Sequence, residues 1–469
     1  MSTRRDFIKQ LGMISAAMTI PTLGKAAGFG LGEHVDKNTS QPANGVTDNG
    51  PMSSWDVIVV GGGPGGCTAA ISAAREGAKV LLIEDSGQLG GMGTIGMVPA
   101  WCPFTDGEKV IYRGLAQRIF REAKKGVPFV DRFTWDWVPI NPEWLMYVYD
   151  RMVTDAKVQV LFFSRVCDVK KSADDTIEAV VVANQRGLST LKAKVFIDAT
   201  GNGCLSMWAG AKFKLGYDDA GHQQASTLCF EMAGINVADY NNGDNLWGAP
   251  DSVIEQIKKS GKYPLIDGHF CNNLVGGDVM GCNAGHLHVQ DTTDPWQVSE
   301  AMLKGRQVAW QHAAALKEAK PSTFGNAILS RTAAVLGTRE SRRIEGDYTL
   351  TLADWEARRS FDDGIGRNCY YIDIHGKAGS HKQYGRGESH GIPYRCLTPK
   401  GLKNLLTAGR DISVDADVFG STRIMPCCLV VGEAAGMAAQ HAITETGGDV
   451  HAIDIQHLRK RLLDVGAWL

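Results

Sequence analysis

Three glycines are spaced to cradle a phosphate. Gly61, Gly63 and Gly66 stand in G-x-G-x-x-G spacing directly behind the uninterrupted apolar run Val57–Val60. A tight turn, the close approach of a pyrophosphate and the close packing of the next helix each need a residue without a Cβ. Pro64 suits the first turn of that helix, where its missing N–H costs nothing. Glu84 follows 18 residues after Gly66, at the end of a second apolar run, Lys79–Ile83. A carboxylate at a strand tip accepts both hydroxyls of a ribose and repels a 2′-phosphate. The chemistry this predicts is dinucleotide binding; the competing reading is a glycine-rich turn and nothing more.

Other groups could act on a substrate. His286 and His288, two positions apart, would share one strand face and could hold a ligand. His375, His381, His390, Tyr394 and Arg395 crowd a turn-rich segment, with His269 farther back, and none shows metal-ligand spacing. Arg339, Arg342 and Arg343 share a short stretch with Glu340 and Glu345, a composition read as structural ion pairing. Cys427 and Cys428 are adjacent, and a disulfide between neighbours closes a strained ring, so buried packing is the expectation. The other cysteines lack zinc or cluster spacing, and no metal site is expected.

The elements that must position these groups follow from periodicity. The helix after Pro64 closes at Gly77. Leu89–Met97 brings the pair Gly90-Gly91 just behind the Glu84 strand, where backbone must pass close to a ligand. Tyr112–Gly126 and Pro142–Lys157 read as helices. Val158–Phe162, Glu178–Ala183 and Lys194–Ile197 read as strands, with Val166 opening a turn. The last strand runs into Asp198-Ala199-Thr200-Gly201-Asn202-Gly203, another glycine-bearing strand end. Strand–helix alternation lapses from Lys214 to Asn326 around one helix, Val298–Lys317, which reads as an inserted mixed α+β substrate domain. A helix is expected to begin at Thr351. The strand Leu405–Thr407 leads to the polar turn Gly409-Arg410-Asp411; Gly420–Cys428 reads as a loop and Val431–Ala439 as the opening of a small-residue helix. The fold class is α/β.

With 469 residues, 44% hydrophobic and 21% charged, the chain can bury a sizeable core. A net charge of −2 gives no reason to expect nucleic acid or an anionic membrane surface. Eleven scattered cysteines do not make a disulfide framework. No run is long enough for a membrane span. Residues 1–30 differ: Arg4-Arg5 precedes Phe7-Ile8-Lys9, a moderately apolar stretch and a small-residue end. That pattern is expected of a twin-arginine signal peptide, with the twin-arginine translocase as partner and a periplasmic destination. Residues 31–53 read as a linker.

The motifs GGGPGG, Glu84, LGGMGT, DATGNG, TAGRD and GEAAGMAA stand in one order. Together with GTRESRRIEGDY, GIPYRCLTP and STRIMPCCLVVGEAAG, they resemble the bacterial FAD-dependent oxidoreductases of the glutathione-reductase-like fold, over roughly Ser54–Leu469. The resemblance implies a Rossmann-like FAD-binding domain in two parts, 54–213 and 399–469, around the substrate domain 214–326 and its return, 327–398. It implies that Gly61, Gly63, Pro64 and Gly65 hold the pyrophosphate and Glu84 the adenosine ribose. Gly90, Gly91 and Met92 would run beside the flavin and Val166 would meet the adenine by its backbone. Thr200 and Gly201 would flank the diphosphate, Gly409 and Asp411 the ribityl-phosphate region, and Gly432, Ala434 and Ala435 the pyrimidine edge. No histidine stands at the second glycine pair, so FAD is expected to be non-covalent.

The resemblance implies a hydride exchanged between a small organic substrate and FAD, with an electron partner still open. The alternative is an FAD-containing electron-transfer subunit serving a redox protein. One complete strand–glycine turn–helix unit, without a second, gives no place for a nicotinamide domain. Arg423 is the leading catalytic candidate, because the segment before Gly432 should pass beside the flavin. A guanidinium there orients an anionic substrate or stabilises developing charge; the plainer reading ties it to Asp415 or Asp417. His390 is its expected partner for proton transfer.

Overall fold

The apolar run behind the first glycine turn becomes the centre of a twisted sheet. The computed structural model describes residues 47–48, 54–240, 245–376 and 382–469. The expected signal peptide 1–30, most of the linker and His381 lie outside the described residues. Within that linker, Thr47–Asp48 form a two-residue strand, β1, paired with Ser189–Thr190.

β2 (Ser54–Val60), β3 (Val80–Ile83) and β4 (Gln159–Leu161) pair in parallel, with β3 in the middle of the three. Such strands are covered on both faces and read as unbroken apolar runs. β5 (Arg165–Lys171), β6 (Ile177–Asn184) and the long β7 (Gly187–Asp198) extend the sheet antiparallel to one another, in the order β4-β3-β2-β7-β6-β5. β7 is twice committed. Its first half pairs with β6, and its second half pairs with β2 and with the returning strand β14 (Leu405–Thr407). Val166 lies inside β5, buried and opposite Val182, and opens no turn. The apolar stretch 177–183 offers it a long partner, which extends both strands beyond their most hydrophobic residues.

α1 (Pro64–Arg75) follows the first glycine turn, and Gly77 leaves it at φ +102°. α2 (Leu115–Lys124) is shorter than the expected 112–126, and α3 spans Pro142–Asp155 behind an Asn141 cap. The second layer is an antiparallel sheet of β8 (Phe230–Ala233), β9 (Phe270–Gly276), β10 (Val279–Ala284) and β11 (Ile328–Thr332), in the order β9-β10-β8-β11. The 25-residue helix α4 (Pro295–Ala319) packs on it and closes a core around Phe230, Phe270 and Phe324. From Gly45 to Leu469 both layers belong to one compact unit. Thr351 caps the short helix α5 (Leu352–Glu356) with a capping box, as its position suggested. β12 (Gly364–Asn368) and β13 (His390–Pro393) form a buried hairpin-like pair.

The segment expected as a loop, Gly420–Cys428, is helical. α6 (Ala416–Thr422) ends there and α7 (Met425–Glu445) begins, the two meeting at 92°. Pro426 looks like loop punctuation but occupies the first turn of α7, where a proline N–H is not needed. Gly432 is therefore two turns into a helix, not at its start. α7 presses on α1 through its small residues. A Cβ on Gly432 would lie 2.1 Å from the Gly65 carbonyl oxygen, and one on Gly436 would lie 2.0 Å from that of Ala69. Ser72 donates to the Glu433 carbonyl at 2.8 Å. Among the described residues no single helix is long and apolar enough to cross a membrane. The last helix, α8 (Ile455–Asp464), flanks α7.

Glu433 is the charged residue buried at this junction. Its Oε2 accepts the Leu115 amide at 2.9 Å, at the start of α2. Burial pushes its carboxyl from 4.5 up to about 7, although the Leu115 N–H and the nearby Arg118 and Arg75 oppose the shift. A carboxyl raised in the folded state keeps its proton longer there than in the unfolded chain. Stability from this group is thus greatest below pH 4.5 and falls by on the order of 3 kcal/mol as pH rises through about 7. Glu433→Gln should remove that fall. Denaturant unfolding at pH 5 and pH 8 checks it: the variant should gain on the wild type only at pH 8, and an equal difference at both pH values contradicts the buried acid.

Candidate functional site

Three glycine turns and one helix start lie against each other. A Cβ on Gly61 would strike the Ala199 carbonyl oxygen at 2.4 Å, and one on Gly66 the Gly61 carbonyl oxygen at 1.8 Å. These two are glycine because backbone approaches backbone. Gly63 is different: its built Cβ meets nothing within 4 Å, and it faces the second glycine turn. Gly91, at φ +55°, brings its Cβ position 3.0 Å from the Gly63 Cα. Two residues on, the Cβ position of Gly93 lies 3.1 Å from Met425 Sδ, at the first residue of α7. The Glu84 carboxylate accepts the amides of Gly62 (2.7 Å) and Ser86 (2.9 Å) and the Ser86 hydroxyl (2.6 Å). Two carboxylate oxygens have about four acceptor positions, so one remains for a ribose hydroxyl.

Beyond the start of α7 stands a connected run of charged and imidazole groups. Asp267 Oδ2 lies 2.7 Å from His286 Nδ1. His286 Nε2 lies 2.9 Å from His375 Nδ1, and His375 Nε2 lies 3.2 Å from Asp373 Oδ2. Arg423 Nη2 donates to both Oδ2 (3.1 Å) and the carbonyl oxygen (3.0 Å) of Asp373. The His269 ring stacks on His286 with centroids 4.4 Å apart, and its Nε2 takes the Arg339 Nη2 donor at 3.1 Å. Arg339 is buried and also donates to the Ala225 carbonyl.

The protons in this run can be counted. Three contacts between two imidazoles and their carboxylates need three N–H groups, and two neutral imidazoles carry two. The His286–His375 pair therefore either shares an extra proton or leaves two lone pairs facing each other. Burial, and then the Arg339 guanidinium, push His375 down to about 4, against the pull of Asp373. Burial and Arg339 push His269 down to about 2. Asp373 is held well below the usual carboxylate range by His375, Arg423 and Arg339, which outweigh its burial. His375, whose charged form is disfavoured by burial and Arg339, stands in a hydrogen-bonded run that is one proton short, an arrangement suited to proton exchange. Three ring nitrogens of His269, His286 and His375 lie within 4.8 Å of one another, which is the geometry of a metal group. The Arg339 donor occupies the His269 lone pair, so the structure favours proton exchange and anion binding at this place.

The family is read from the whole length of the fold. The model of the FAD dependent oxidoreductase family matches residues 56–462. The chain belongs to this family. Curated relatives match short stretches. The glutathione reductase of Schizosaccharomyces pombe is 60% identical over 42 residues, 9% of each chain. The digeranylgeranylglycerophospholipid reductase of Thermoplasma acidophilum is 56% identical over 39 residues, 8% of this chain and 10% of that one. The chain thus spans about a tenth of the length of these two relatives. Among solved structures, a geranylgeranyl bacteriochlorophyll reductase-like protein of Thermoplasma acidophilum has a TM-score of 0.44 and 14% identity, covering 88% of this chain and 84% of that one. A p-nitrophenol 4-monooxygenase of Pseudomonas putida has a TM-score of 0.44 and 12% identity, covering 88% and 86%.

The protein is an FAD-dependent oxidoreductase, and its residues fit the cofactor. Both Asp411 carboxylate oxygens are buried without a hydrogen-bond partner. Burial and then the neighbouring Asp198 push that carboxyl well up. A polyol chain carrying hydroxyls, as FAD has, would supply the missing partners; a Cβ on Gly409 would stand 3.1 Å from Asp411 Oδ1, in the way of such an approach. The other expected FAD residues divide. Gly61, Gly63, Pro64, Gly90, Gly91 and Met92 lie along the continuous surface of the two glycine turns. The Gly65 Cα is pressed against the Ala408 carbonyl, and what it can offer a phosphate is its amide. The Thr200 hydroxyl donates to Asp198 and accepts the Cys204 amide, and the Gly201 carbonyl accepts from Arg410 Nε at 2.7 Å. These two brace the turn. Val166 buries its side chain in β5. Gly432, Ala434 and Ala435 are buried inside α7, Gly432 against α1, and the start of α7 at Met425 takes the place by the glycine turns that was expected of them.

The expected catalytic pair is separated. Arg423 joins the polar run and pairs with Asp373; Asp415 instead caps α6 through the Val418 amide. His390 is fully buried in β13, with Nδ1 2.8 Å from the Tyr384 hydroxyl, and burial pushes it down to about 3. The strand turned its ring into the core, and His375 takes its place beside Arg423. Of the arginine stretch, Arg343 pairs with buried Glu340 as expected, while Arg339 reaches the histidines. His286 and His288 follow β10 on either side of Leu287, which bridges to Ser226, and their rings lie 6.1 Å apart; only His286 enters the run. All eleven cysteines are free, Cys427 and Cys428 buried.

Gly63→Val separates cofactor contact from folding. Gly63 has φ −70° and open space around its Cβ position, so valine fits the fold but stands where a pyrophosphate must approach. The variant should keep its circular dichroism and lose bound FAD, read as visible absorbance per chain. Full FAD content in Gly63→Val would remove this residue from the site.

Proposed function

We propose that this enzyme exchanges a hydride between a small anionic organic substrate and non-covalently held FAD. The observation that carries the reading is the run Asp267–His286–His375–Asp373–Arg423, joined to the glycine turns through the start of α7. FAD supplies the two-electron chemistry when bound. The protein's part is binding, orientation and protons. Arg423, with its Nε buried and unpaired, and Arg339 offer donors to a carboxylate or a developing oxyanion. The His286–His375 pair gives or takes the proton that accompanies hydride movement. Asp267, with 38% of its side chain exposed, connects the pair to solvent.

Anaerobic titration tests this reading. Hydroxy acids, amino acids and unsaturated acids are compared with neutral sugars and amines for loss of flavin colour or, from the reduced enzyme, its return. An acid should react, and Arg423→Ala should slow that reaction by roughly a hundredfold or more while FAD content stays full. A fast neutral substrate indifferent to Arg423→Ala overturns the anionic reading. Reaction with a redox protein alone makes the chain an electron-transfer subunit.

Export through the twin-arginine translocase into the periplasm is the second part of the proposal. It rests on Arg4-Arg5 and the residue classes that follow. Replacing both arginines with lysine should hold the protein, FAD bound, inside the cell. Unchanged fractionation between periplasm and cytoplasm rejects it.

A further inference from the structure

The two C-terminal helices carry a second cluster, on other elements than the groups above. His441 and Glu445 stand four residues apart on α7 and so share one face. α8 sets His457 beside them. Glu445 Oε1 lies 2.6 Å from His457 Nδ1 and 3.9 Å from His441 Nδ1. One donor atom from each of the three residues falls within a 4.8 Å group. The carboxylate is held in place: its other oxygen accepts the Asp454 amide at 3.3 Å, and Asp454 caps α8.

His441 supplies the independent observation. It is 4% exposed, and its Nδ1 is buried without a hydrogen-bond partner. Such an atom costs free energy unless something occupies it. Its other nitrogen, Nε2, faces Glu76 Oε2 at 3.9 Å, and Glu76 is fixed by Arg461 at 2.6 Å. Carboxylates thus stand 3.9 Å from both ring nitrogens, Glu445 on the Nδ1 side and Glu76 on the Nε2 side, so a cation bound at Nδ1 would leave the ring proton on the side of Glu76. Arg461 is the nearby cation, and its charge is met by Glu76 and by Asp464 at 3.6 Å.

We propose that His441 Nδ1, Glu445 Oε1 and a ring nitrogen of His457 bind a borderline divalent cation of the zinc class. Two imidazoles and one carboxylate are a donor set of that class, and water completes it on the exposed side. The two rings are stacked, 4.4 Å apart and 13° from parallel. One cation cannot lie in both ring planes in that arrangement, so His457 must tilt. At 47% exposure its side chain has the room. The ion would tie α8 to the end of α7, far along the chain from Arg423.

The test uses untagged, FAD-loaded protein, freed of metal and titrated with Zn2+ by calorimetry and with Co2+ by visible absorption. One equivalent of each should bind, and Zn2+ should raise the melting temperature. His457→Gln should weaken binding by at least roughly tenfold and abolish the thermal shift, with FAD content unchanged. Glu445→Gln should weaken it as well. His286→Gln, in the other histidine group, should bind as the wild type does. Absence of Zn2+ binding, or binding lost in His286→Gln and retained in His457→Gln, overturns the proposal.

Discussion

The closeness of α1 to α7 sets the rest of the structure. Gly65 and Ala69 on one helix face Gly432 and Gly436 on the other, with Cβ positions near 2 Å from opposing carbonyls. No residue but glycine allows that approach. It has consequences at both ends of α7. The N-terminal end is brought to Gly93 of the second glycine turn, which places Arg423 next to Asp373 and the histidines. The C-terminal end presents His441 and Glu445 to α8. A larger residue at 432, which presses on Gly65, or at 436, which touches neither, would therefore move the polar run relative to the glycine turns.

The polar run is assembled from segments far apart in sequence. Asp267 and His286 come from the second layer, Asp373 and His375 from the segment between β12 and β13, and Arg423 from the break between α6 and α7. Each contributes a partner that the others need. Arg339 and Arg423 depress the imidazoles and are themselves balanced by Asp373. Bare guanidinium groups at this depth would be costly, and so would the carboxylates. A bound anion would add a third negative group beside two guanidiniums and make the extra proton on the His286–His375 pair easier to keep. Substrate binding and proton loading are coupled in this reading.

What the sequence made legible follows from how local each signal was. The glycine turn, Glu84 and the apolar strands are read from a few adjacent residues, and their places hold. The wrong boundaries came from residues whose meaning depends on partners. Pro426 suits a loop as well as the first turn of a buried helix, and nothing local distinguishes the two. Gly432 and its neighbours fit a flat ligand or a neighbouring helix equally well, and only the α1 contact decides. His390 has the chemistry for proton transfer, but the register of β13 against β12 turns it into the core. One local signal went unread. Ile266-Asp267-Gly268-His269 and Ile372-Asp373-Ile374-His375 repeat the same pattern, a carboxylate two residues before an imidazole. Both copies sit in the run, and both histidines face the guanidinium of Arg339 or the carboxylates beside it.

Buried acids mark the places where this fold still lacks a partner of its own. Glu433 has one amide donor and Asp411 has none, and both carboxyls are pushed up by burial. Glu433 lies between helices and makes sense as a neutral group that caps α2. Asp411 has no such structural use: the Arg410 guanidinium beside it is spent on Gly201, Thr338 and Asn202. An acid kept in that condition is a poor contributor to stability by itself. It becomes favourable once hydroxyl groups reach it, which is the condition the cofactor creates. Binding of FAD and consolidation of the region around β14 are in this sense one event, because the same strand end carries the acid, the arginine clamp and the turn that packs on Gly65.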